Sequence, residues 1–381
     1  MRRFLWIADR LGALLALPWR LLRRPRDLDP ADIRNILLLR CDGIGDLVES
    51  TPAIRAVRRR FPDAKIELMV GPWAADVAAM IPDVDEVLPY APWGYRRLRA
   101  LRRQRSLLVD LRWSRRLRRR RYDLAIDLRG DLLSLLPMAF WKIPRRVGRG
   151  TRGGSFALTH QVPAVAPQRQ HEVRRTLDVV AWVGGDTGDE ALALTPNEAA
   201  CQRARAAFAA AGLDPAKTIL FAPGAQWKWK WWPGFGELAK SLIEAGRQVG
   251  VLGAPGEEHF HEEVRAVAPA AVSLIGRFDL TALTAAFSLA RGFVAVDSGP
   301  AHLAAGMGTP GVMLFGSGRP EQFGPLAENV RIIHQPCPIN PCYQRGDCAN
   351  KDDWCMAKIA PQDVSAALAE VACDPVAPAK H

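Results

Sequence analysis

Three short loops carry groups that could bind and transfer a phosphorylated substrate. The first is Asp42-Gly43-Ile44-Gly45-Asp46, and it lacks the third glycine of a dinucleotide fingerprint. A carboxylate here would repel a pyrophosphate, so its better chemical use is as a general base that deprotonates an acceptor hydroxyl. Alternatively, Asp46 caps the helix predicted just beyond it. The residues alone leave both roles open.

The second loop runs Ala222-Pro223-Gly224-Ala225-Gln226-Trp227-Lys228-Trp229-Lys230-Trp231-Trp232-Pro233. It contains two lysines and no acid, and a helical pattern starts near Gly236. Backbone N–H groups at a helix start, with a lysine beside them, favour a bound pyrophosphate. The tryptophans either pack in the core, as we expect for Trp232, or stack on a base or sugar.

The third loop, Asp297-Ser298-Gly299-Pro300-Ala301-His302, also joins an apolar run to a helical pattern. Ser298, Gly299 and the residues after Pro300 would present N–H groups to an anion. His302 either binds phosphate or packs inside the domain. Asp297 either holds a ribose hydroxyl or caps the helix.

Strand and helix patterns alternate along the chain, which predicts βαβ units and parallel sheets. Predicted strands cover about 35–40, 65–70, 86–89, 122–128, 218–221, 248–252, 293–296 and 311–315, and predicted helices about 50–60, 73–80, 95–121, 131–141, 196–211, 236–245, 257–267, 280–290 and 301–306. A Gly/Asp-rich break at 183–189 separates two such series. We therefore predict two α/β domains facing a central cleft, with ligands at the carboxyl ends of the strands.

Positive charge is concentrated in two segments. The net charge is +12, yet residues 1–26 hold seven arginines and one acid, and residues 96–121 hold thirteen arginines and one acid. The rest of the chain is mildly acidic, which argues against a general nucleic-acid coat. Binding of nucleic acid by residues 96–121 remains the alternative from another functional class.

Residues 1–26 interleave apolar side chains with arginines, which predicts an amphipathic helix on an anionic membrane surface. The alternative is a helix packed on the protein itself. No apolar run reaches the ~20 residues of a membrane span, and no secretory signal is recognised.

The cysteines indicate a reducing compartment, because there are seven of them without a secretory signal. Four cluster near the C-terminus: Cys337, Cys342, Cys348 and Cys355. Their spacing is not the paired spacing of a zinc site. They form either a structural metal site or a loop of thiols.

In this order and spacing, the loops resemble glycosyltransferase family 9, the bacterial heptosyltransferases of lipopolysaccharide assembly. The resemblance runs from about Asn35 to Val364. The matching segments are Ile36 to Asp46 with Thr51-Pro52-Ala53-Ile54-Arg55, Pro223-Gly224-Ala225 with Lys230-Trp231-Trp232-Pro233, and Asp297 to Leu303 with Gly308-Thr309-Pro310 and Leu314-Phe315-Gly316.

The resemblance implies a GT-B fold of two Rossmann-like domains. Residues 31–185 would bind the acceptor and residues 190–365 the nucleotide sugar. The N-terminal segment, taken as residues 1–30, is more basic than in the family's small members, and its expected place at the membrane surface comes from its own composition. The implied reaction is inverting transfer of a heptose from ADP-heptose to a lipopolysaccharide-core acceptor. It would need no cofactor and no catalytic metal. The enzyme would be cytoplasmic, on the inner leaflet of the inner membrane.

The resemblance also implies residue roles. Asp46 falls at the catalytic base, which now favours that role over the cap, and Lys230 at a lysine on the donor phosphates. The expected donor-binding residues are Gly224, Ala225, Gln226, Asp297, Ser298, Gly299, Pro300, Ala301 and His302, and the expected acceptor-binding residues are Gly43, Gly45 and Arg129. The basic segments suit an anionic glycolipid acceptor. Another nucleotide sugar, used for a different surface glycan, is the alternative.

Overall fold

The computed structural model describes residues 28–90, 107–163, 170–336, 348 and 354–372. The chain divides into two compact units, Met1–Ala191 and Leu192–His381. The predicted membrane segment 1–26, Cys337 and Cys342 lie outside the described residues.

The first unit is built on a parallel sheet flanked by helices. Its described strands are β1 (Asn35–Arg40), β2 (Lys65–Val70), β3 (Glu86–Pro89), β4 (Leu124–Asp127), β5 (Arg145–Gly148) and β6 (His160–Gln161). Its described helices are α1 (Ile44–Val48), α2 (Thr51–Arg60), α3 (Ala75–Ala78), α4 (Leu107–Arg119), α5 (Leu132–Phe140) and α6 (Glu172–Ala181). The strand order is β3-β2-β1-β4-β5-β6.

Burial on both faces fixes β1 at the centre of this sheet. It pairs in parallel with β2 on one side and with β4 on the other. Residues 36–39 are fully buried, which explains the unbroken apolar run. Leu37 and Leu39 join a core cluster that contains Leu117 of α4 and Leu135 of α5. Each buried leucine contributes about 2 kcal/mol of transfer free energy.

The second unit repeats the architecture. Its described strands are β7 (Thr218–Ala222), β8 (Gln248–Val251), β9 (Val272–Ser273), β10 (Gly292–Val296), β11 (Gly311–Phe315) and β12 (Val330–His334). Its described helices are α7 (Glu198–Ala210), α8 (Phe235–Glu244), α9 (Glu258–Val267), α10 (Leu280–Leu289), α11 (Gly299–Gly306), α12 (Pro320–Phe323) and α13 (Pro361–Val371). The order β12-β11-β10-β7-β8-β9 is that of the first sheet read from the other edge.

Several elements were not predicted from the sequence. They are α1, α6, α12 and α13 among the helices and β5, β6, β9 and β12 among the strands. β5 begins with two arginines, and tertiary contacts alone make it a strand. The guanidinium of Arg145 pairs with Asp32, and that of Arg146 donates to two backbone carbonyls.

The second half of the long predicted helix is observed as α4, Leu107–Arg119, while its predicted start at 95–106 lies outside the described residues. In the part of the chain that the structure describes, no helix combines the length and the apolar character needed to cross a bilayer.

Candidate active site

The three loops identified in the sequence all lie at points where the strand order reverses. In the first sheet, β1 and β4 are neighbours. The strand that follows β1 lies on one side of this pair, and the strand that follows β4 lies on the other side. β7 and β10 have the same relation in the second sheet. Ligands of open parallel sheets bind at the carboxyl ends of such strand pairs. The structure thus brings the Asp46 loop beside Arg129, and the Lys230 loop beside Asp297.

Asp46 lies inside a short helix, not in an open loop and not at the cap of α2. Gly43 is the N-cap of α1, and the Asp46 carboxylate accepts a hydrogen bond of 3.0 Å from the Gly43 N–H. A Cβ atom on Gly43 would lie 3.0 Å from Asp46 Oδ2, so a larger residue here would crowd that carboxylate. Asp46 therefore stabilises the start of its own helix and still presents a second oxygen.

A buried arginine lies beside this carboxylate. Arg40, the last residue of β1, is fully buried and donates to Glu172 Oε1 at 2.7 Å. Its Nε also donates to the Asp46 carbonyl at 3.1 Å, and Nη2 lies 3.7 Å from Asp46 Oδ1. Arg175 donates twice to Glu172, each bond 2.7 Å long. A single anion of α6 thus lies between two guanidinium groups.

The neighbouring charges set the pKa values of Glu172 and Asp46. Burial disfavours the anion of Glu172, but Arg40 and Arg175 lower its pKa to about 2. Asp46 is different, because burial and then the charges of Asp42 and Glu172 raise its pKa to about 6, against the opposing effect of Arg40. The side chain still keeps 33% of its accessible surface, so the carboxylate is only partly buried. A carboxylate with this pKa is ionised at neutral pH and basic enough to accept a proton.

Arg129 is held among acids at the end of β4. Its Nη1 lies 2.5 Å from Asp42 Oδ1 and donates to the Cys41 carbonyl at 3.0 Å, and its Nε pairs with Asp131. Asp127 lies next to this group and is fully buried. Burial and then the charge of Asp131 raise the pKa of Asp127 to about 7.

Sequence reasoning missed Arg40, Asp127, Glu172 and Arg175. A charged residue that ends an otherwise apolar strand, as Arg40 does, was an available signal. Glu172 had none, because it contacts Arg40 from 132 positions away.

In the second unit, the lysine of the tryptophan-rich loop meets an acid. Lys230 Nζ lies 2.5 Å from Asp297 Oδ2 and also donates to the Asp297 carbonyl at 3.3 Å. The lysine side chain keeps 20% of its surface and the aspartate 13%. The sequence predicted a cationic loop without acids, but the structure places the carboxylate of Asp297, from another loop, beside Lys230. Asp297 fixes the direction of the ammonium group while part of it stays accessible.

The tryptophans divide between packing and partial exposure. Trp232 is buried in the core and donates to the Ile359 carbonyl at 3.0 Å, as expected for a core residue. Trp231 donates to the Ala225 carbonyl at 3.0 Å, which fixes the strand-to-helix loop that contains Gly224 and Gln226. Lys228 is exposed, with its ammonium 5.5 Å from the Trp231 ring centroid.

The third loop forms the start of α11. Ser298 is the N-cap in extended conformation, Gly299 and Pro300 begin the helix, and Ala301 is buried. The Ser298 hydroxyl makes no bond to the N–H groups of the first turn and has no hydrogen-bond partner among the described residues. His302 is 5% exposed and lies one turn further on. N–H groups at such a helix start are suited to an anion.

The loop after β11 packs on the same aspartate. A Cβ atom on Gly318 would lie 2.6 Å from Asp297 Oδ2. Cys355 is buried, and its Sγ would lie 2.8 Å from a Cβ atom on Gly316. No three potential metal ligands come together among the residues that the structure describes. Because Cys337 and Cys342 lie outside those residues, the metal alternative for the cysteine cluster is untested.

Solved structures share this architecture. A family 9 glycosyltransferase from Veillonella parvula aligns with a TM-score of 0.74 at 19% identity, over 93% of this chain and 100% of that one. The Escherichia coli ADP-heptose lipopolysaccharide heptosyltransferase II aligns with a TM-score of 0.71 at 23% identity, over 89% and 98%. The predicted α/β class and GT-B fold are confirmed.

The sequence places the chain within that class. Its residues 111–352 match the sequence model of glycosyltransferase family 9 (heptosyltransferase), and the chain belongs to this family. Lipopolysaccharide heptosyltransferase 2 of Escherichia coli K12 is 27% identical over 87% of this chain and 96% of the relative. Lipopolysaccharide heptosyltransferase 1 of Pseudomonas aeruginosa is 25% identical over 88% and 97%. The family resemblance noted in the sequence is thereby confirmed.

Proposed function

We propose that this enzyme transfers a heptose from ADP-heptose to a lipopolysaccharide-core acceptor, with inversion at the anomeric carbon. The observation that carries the proposal is the Asp46 carboxylate at the carboxyl end of β1, which the Gly43 N–H holds at 3.0 Å and which remains 33% exposed. Burial and the charge of Asp42 raise its pKa to about 6. Membership of the family and relatives named as lipopolysaccharide heptosyltransferases support the substrate class.

Asp46 acts as the general base. The acceptor hydroxyl gives its proton to the carboxylate, and its oxygen forms a bond to the anomeric carbon of the donor. The bond between that carbon and the diphosphate oxygen breaks, and ADP leaves with the electron pair. Gly43 and Gly45 let the acceptor approach the backbone of α1, while Arg129 orients an acceptor anion.

Lys230 and the start of α11 stabilise the departing diphosphate. The ammonium is directed by Asp297 and remains 20% exposed, so it can meet a phosphate oxygen. The backbone N–H groups of Ser298, Gly299 and Ala301, together with His302, add hydrogen bonds, while Pro300 has no N–H and fixes the first turn. The backbone of Gly224, Ala225 and Gln226 lines the donor site. This arrangement supplies by fixed cations and dipoles what a catalytic metal supplies in other enzymes.

The roles of the two units follow. Residues 31–185 form the acceptor domain and residues 190–365 the donor domain. The enzyme is cytoplasmic and peripheral on the inner leaflet, held there by residues 1–26 and by the basic segment 96–121, because its acceptor is an anionic glycolipid.

Asp46→Asn tests the base directly. The isosteric amide cannot accept the proton, so turnover should fall by about 10²- to 10⁴-fold. Affinity for ADP, measured by calorimetry, should stay the same, because the donor site belongs to the other unit. Asp63→Asn, an exposed acid of the first unit, is the matched control. Full activity of the Asp46 variant would refute the base assignment.

A panel of nucleotide sugars tests the donor. We expect turnover with ADP-heptose, no loss of activity in excess chelator, and a product of inverted anomeric configuration. Turnover only with a different nucleotide sugar would contradict the heptose assignment and would favour a different surface glycan as the product.

A further inference from the structure

We propose that the outer face of α4, with the end of α5, is a docking surface for the phosphate headgroups of an anionic membrane. The choice of partner rests on the proposed action at a membrane glycolipid. The residues of the surface are separate from those assigned to transfer.

A stripe of arginines forms the centre of this surface. Arg112, Arg115, Arg116 and Arg119 are spaced as one face of a helix, and all four are exposed. With Arg120 they line an open cavity of about 410 Å³. The opposite side of α4 packs into the core through Leu117. The stripe is therefore fixed toward solvent.

Nothing in the described residues neutralises the stripe. Arg120 pairs with Glu67 and Glu86, whereas none of the four stripe arginines makes an ion pair with a described residue. Like charges three and four positions apart destabilise a helix. A surface that retains this repulsion is matched to a polyanionic partner.

A second cationic cavity continues the surface beyond the end of α4. It measures about 310 Å³, and Arg118, Arg121 and Lys142 line it. Arg121 (φ 52°) and Lys142 (φ 60°) are the non-glycine residues with left-handed backbone in the described part of the chain. Such conformations are costly and concentrate at binding sites. The carboxylate of Asp123, which also lines the cavity, already accepts hydrogen bonds from two backbone N–H groups.

An exposed aromatic side chain distinguishes a membrane from other polyanions. Phe140, at the end of α5, is 60% exposed, and Arg118 donates twice to its carbonyl, at 2.6 and 2.8 Å. An aromatic ring among arginines suits the interface between headgroups and acyl chains. Single-stranded nucleic acid is bound instead by a series of exposed aromatic rings. The neighbouring rings here are held by the protein itself, because Tyr122 and Trp141 are buried and Trp113 is stacked on Tyr90, which leaves Phe140 as the largely exposed ring of this surface.

The surface leaves the Asp46 loop open. Tyr122 and Asp123 precede β4, and Ile143 and Pro144 precede β5, so the second cavity lies at the amino ends of these strands. Asp46 follows the carboxyl end of the parallel strand β1. The second cavity and Asp46 therefore lie at opposite ends of the strands, and docking and transfer can be tested separately.

Vesicle flotation of the full chain tests the proposal, with phosphatidylcholine vesicles that contain or lack phosphatidylglycerol. Each basic residue near an anionic bilayer strengthens binding roughly fivefold, so R112Q/R115Q/R116Q/R119Q should weaken it by about 10²- to 10³-fold. R203Q/R205Q/R265Q/R277Q changes the net charge equally at exposed arginines of the second unit and should have a far smaller effect. Phe140→Ser should weaken binding less than the stripe variant.

Hydrogen exchange locates the contact even if residues 1–26 also bind. Vesicles with phosphatidylglycerol should protect amides at 112–121 and 140–144. Equal losses in both quadruple variants, no loss in either, or binding of a single-stranded RNA but not of vesicles would each overturn the proposal. Transfer to a lipid-free acceptor saccharide should be unchanged in the stripe variant. If the wild type does not transfer sugar to this lipid-free saccharide, that result would instead count against the proposed transferase function.

Discussion

At the scale of single residues, the site depends on how nearby charges oppose one another. Asp46 has an acid on one side, Asp42, and a buried cation on the other, Arg40. Burial and the acids raise its pKa to about 6, and Arg40 keeps it from rising further. The activity of a base requires the ionised form, so we expect the acidic limb of the pH–rate profile near pH 6.

Asp42→Asn should move this limb to lower pH. Removing the anion relieves repulsion of the Asp46 carboxylate and leaves Arg40 and Arg129 less neutralised, and both effects favour the charged form of Asp46. The measurement is kcat/KM against pH for the wild type and the variant.

Asp63→Asn is the control, since this exposed acid lies away from the network. A limb that stays near pH 6 in the Asp42 variant, or that moves upward, would contradict this electrostatic account.

At the scale of secondary structure, α6 is attached to β1 by a buried charge. Glu172 on α6 is 2% exposed and lies between Arg40 and Arg175. Two positions after Glu172 in the same helix, Arg174 pairs with Glu190 at 2.7 Å, but on the surface. Residues of α6 thus form one Arg–Glu pair that is buried and one that is exposed to solvent.

Glu172→Ala should lower the free energy of unfolding by about 3–5 kcal/mol, because it leaves two guanidinium groups without their buried counter-ion. Glu190→Ala should cost less than about 1 kcal/mol, because its pair with Arg174 is solvated. Urea denaturation, read by circular dichroism with linear extrapolation, measures both. Similar losses in the two variants would show that burial does not govern the strength of these pairs.

At the scale of the whole molecule, the chain holds two units with one topology and unlike chemistry. The strand-end loops of the first unit are rich in carboxylates, whereas those of the second carry Lys230, Asp297 and the N–H groups of α11. A diphosphate should therefore prefer the second unit.

ADP at 100 times its dissociation constant should stabilise the second unit by about 2.7 kcal/mol. Hydrogen exchange should then show protection within 192–381, centred on 223–230 and 297–302. Lys230→Met should weaken binding, and Lys228→Met is the control, since that ammonium is exposed and lies over the Trp231 ring. Protection confined to the first unit would contradict the assignment of the donor domain.

The sequence by itself determined the fold class and where chemistry could occur. Short apolar runs such as 36–39 and 293–296 indicate buried strands, and the glycine-containing segments after them indicate strand-end loops. The charge of 96–121 was equally visible. These features can be predicted from a short stretch of sequence because each depends only on residues that are close together in the chain.

Only the tertiary structure decided which charges meet. Arg40 reaches Glu172, and Lys230 reaches Asp297 across 67 positions. The pKa of Asp46 follows from such contacts, as does its position inside α1 rather than at a cap. Charge–charge energy depends on distance and on the exclusion of water, and packing sets both. A linear pattern of residues contains neither quantity.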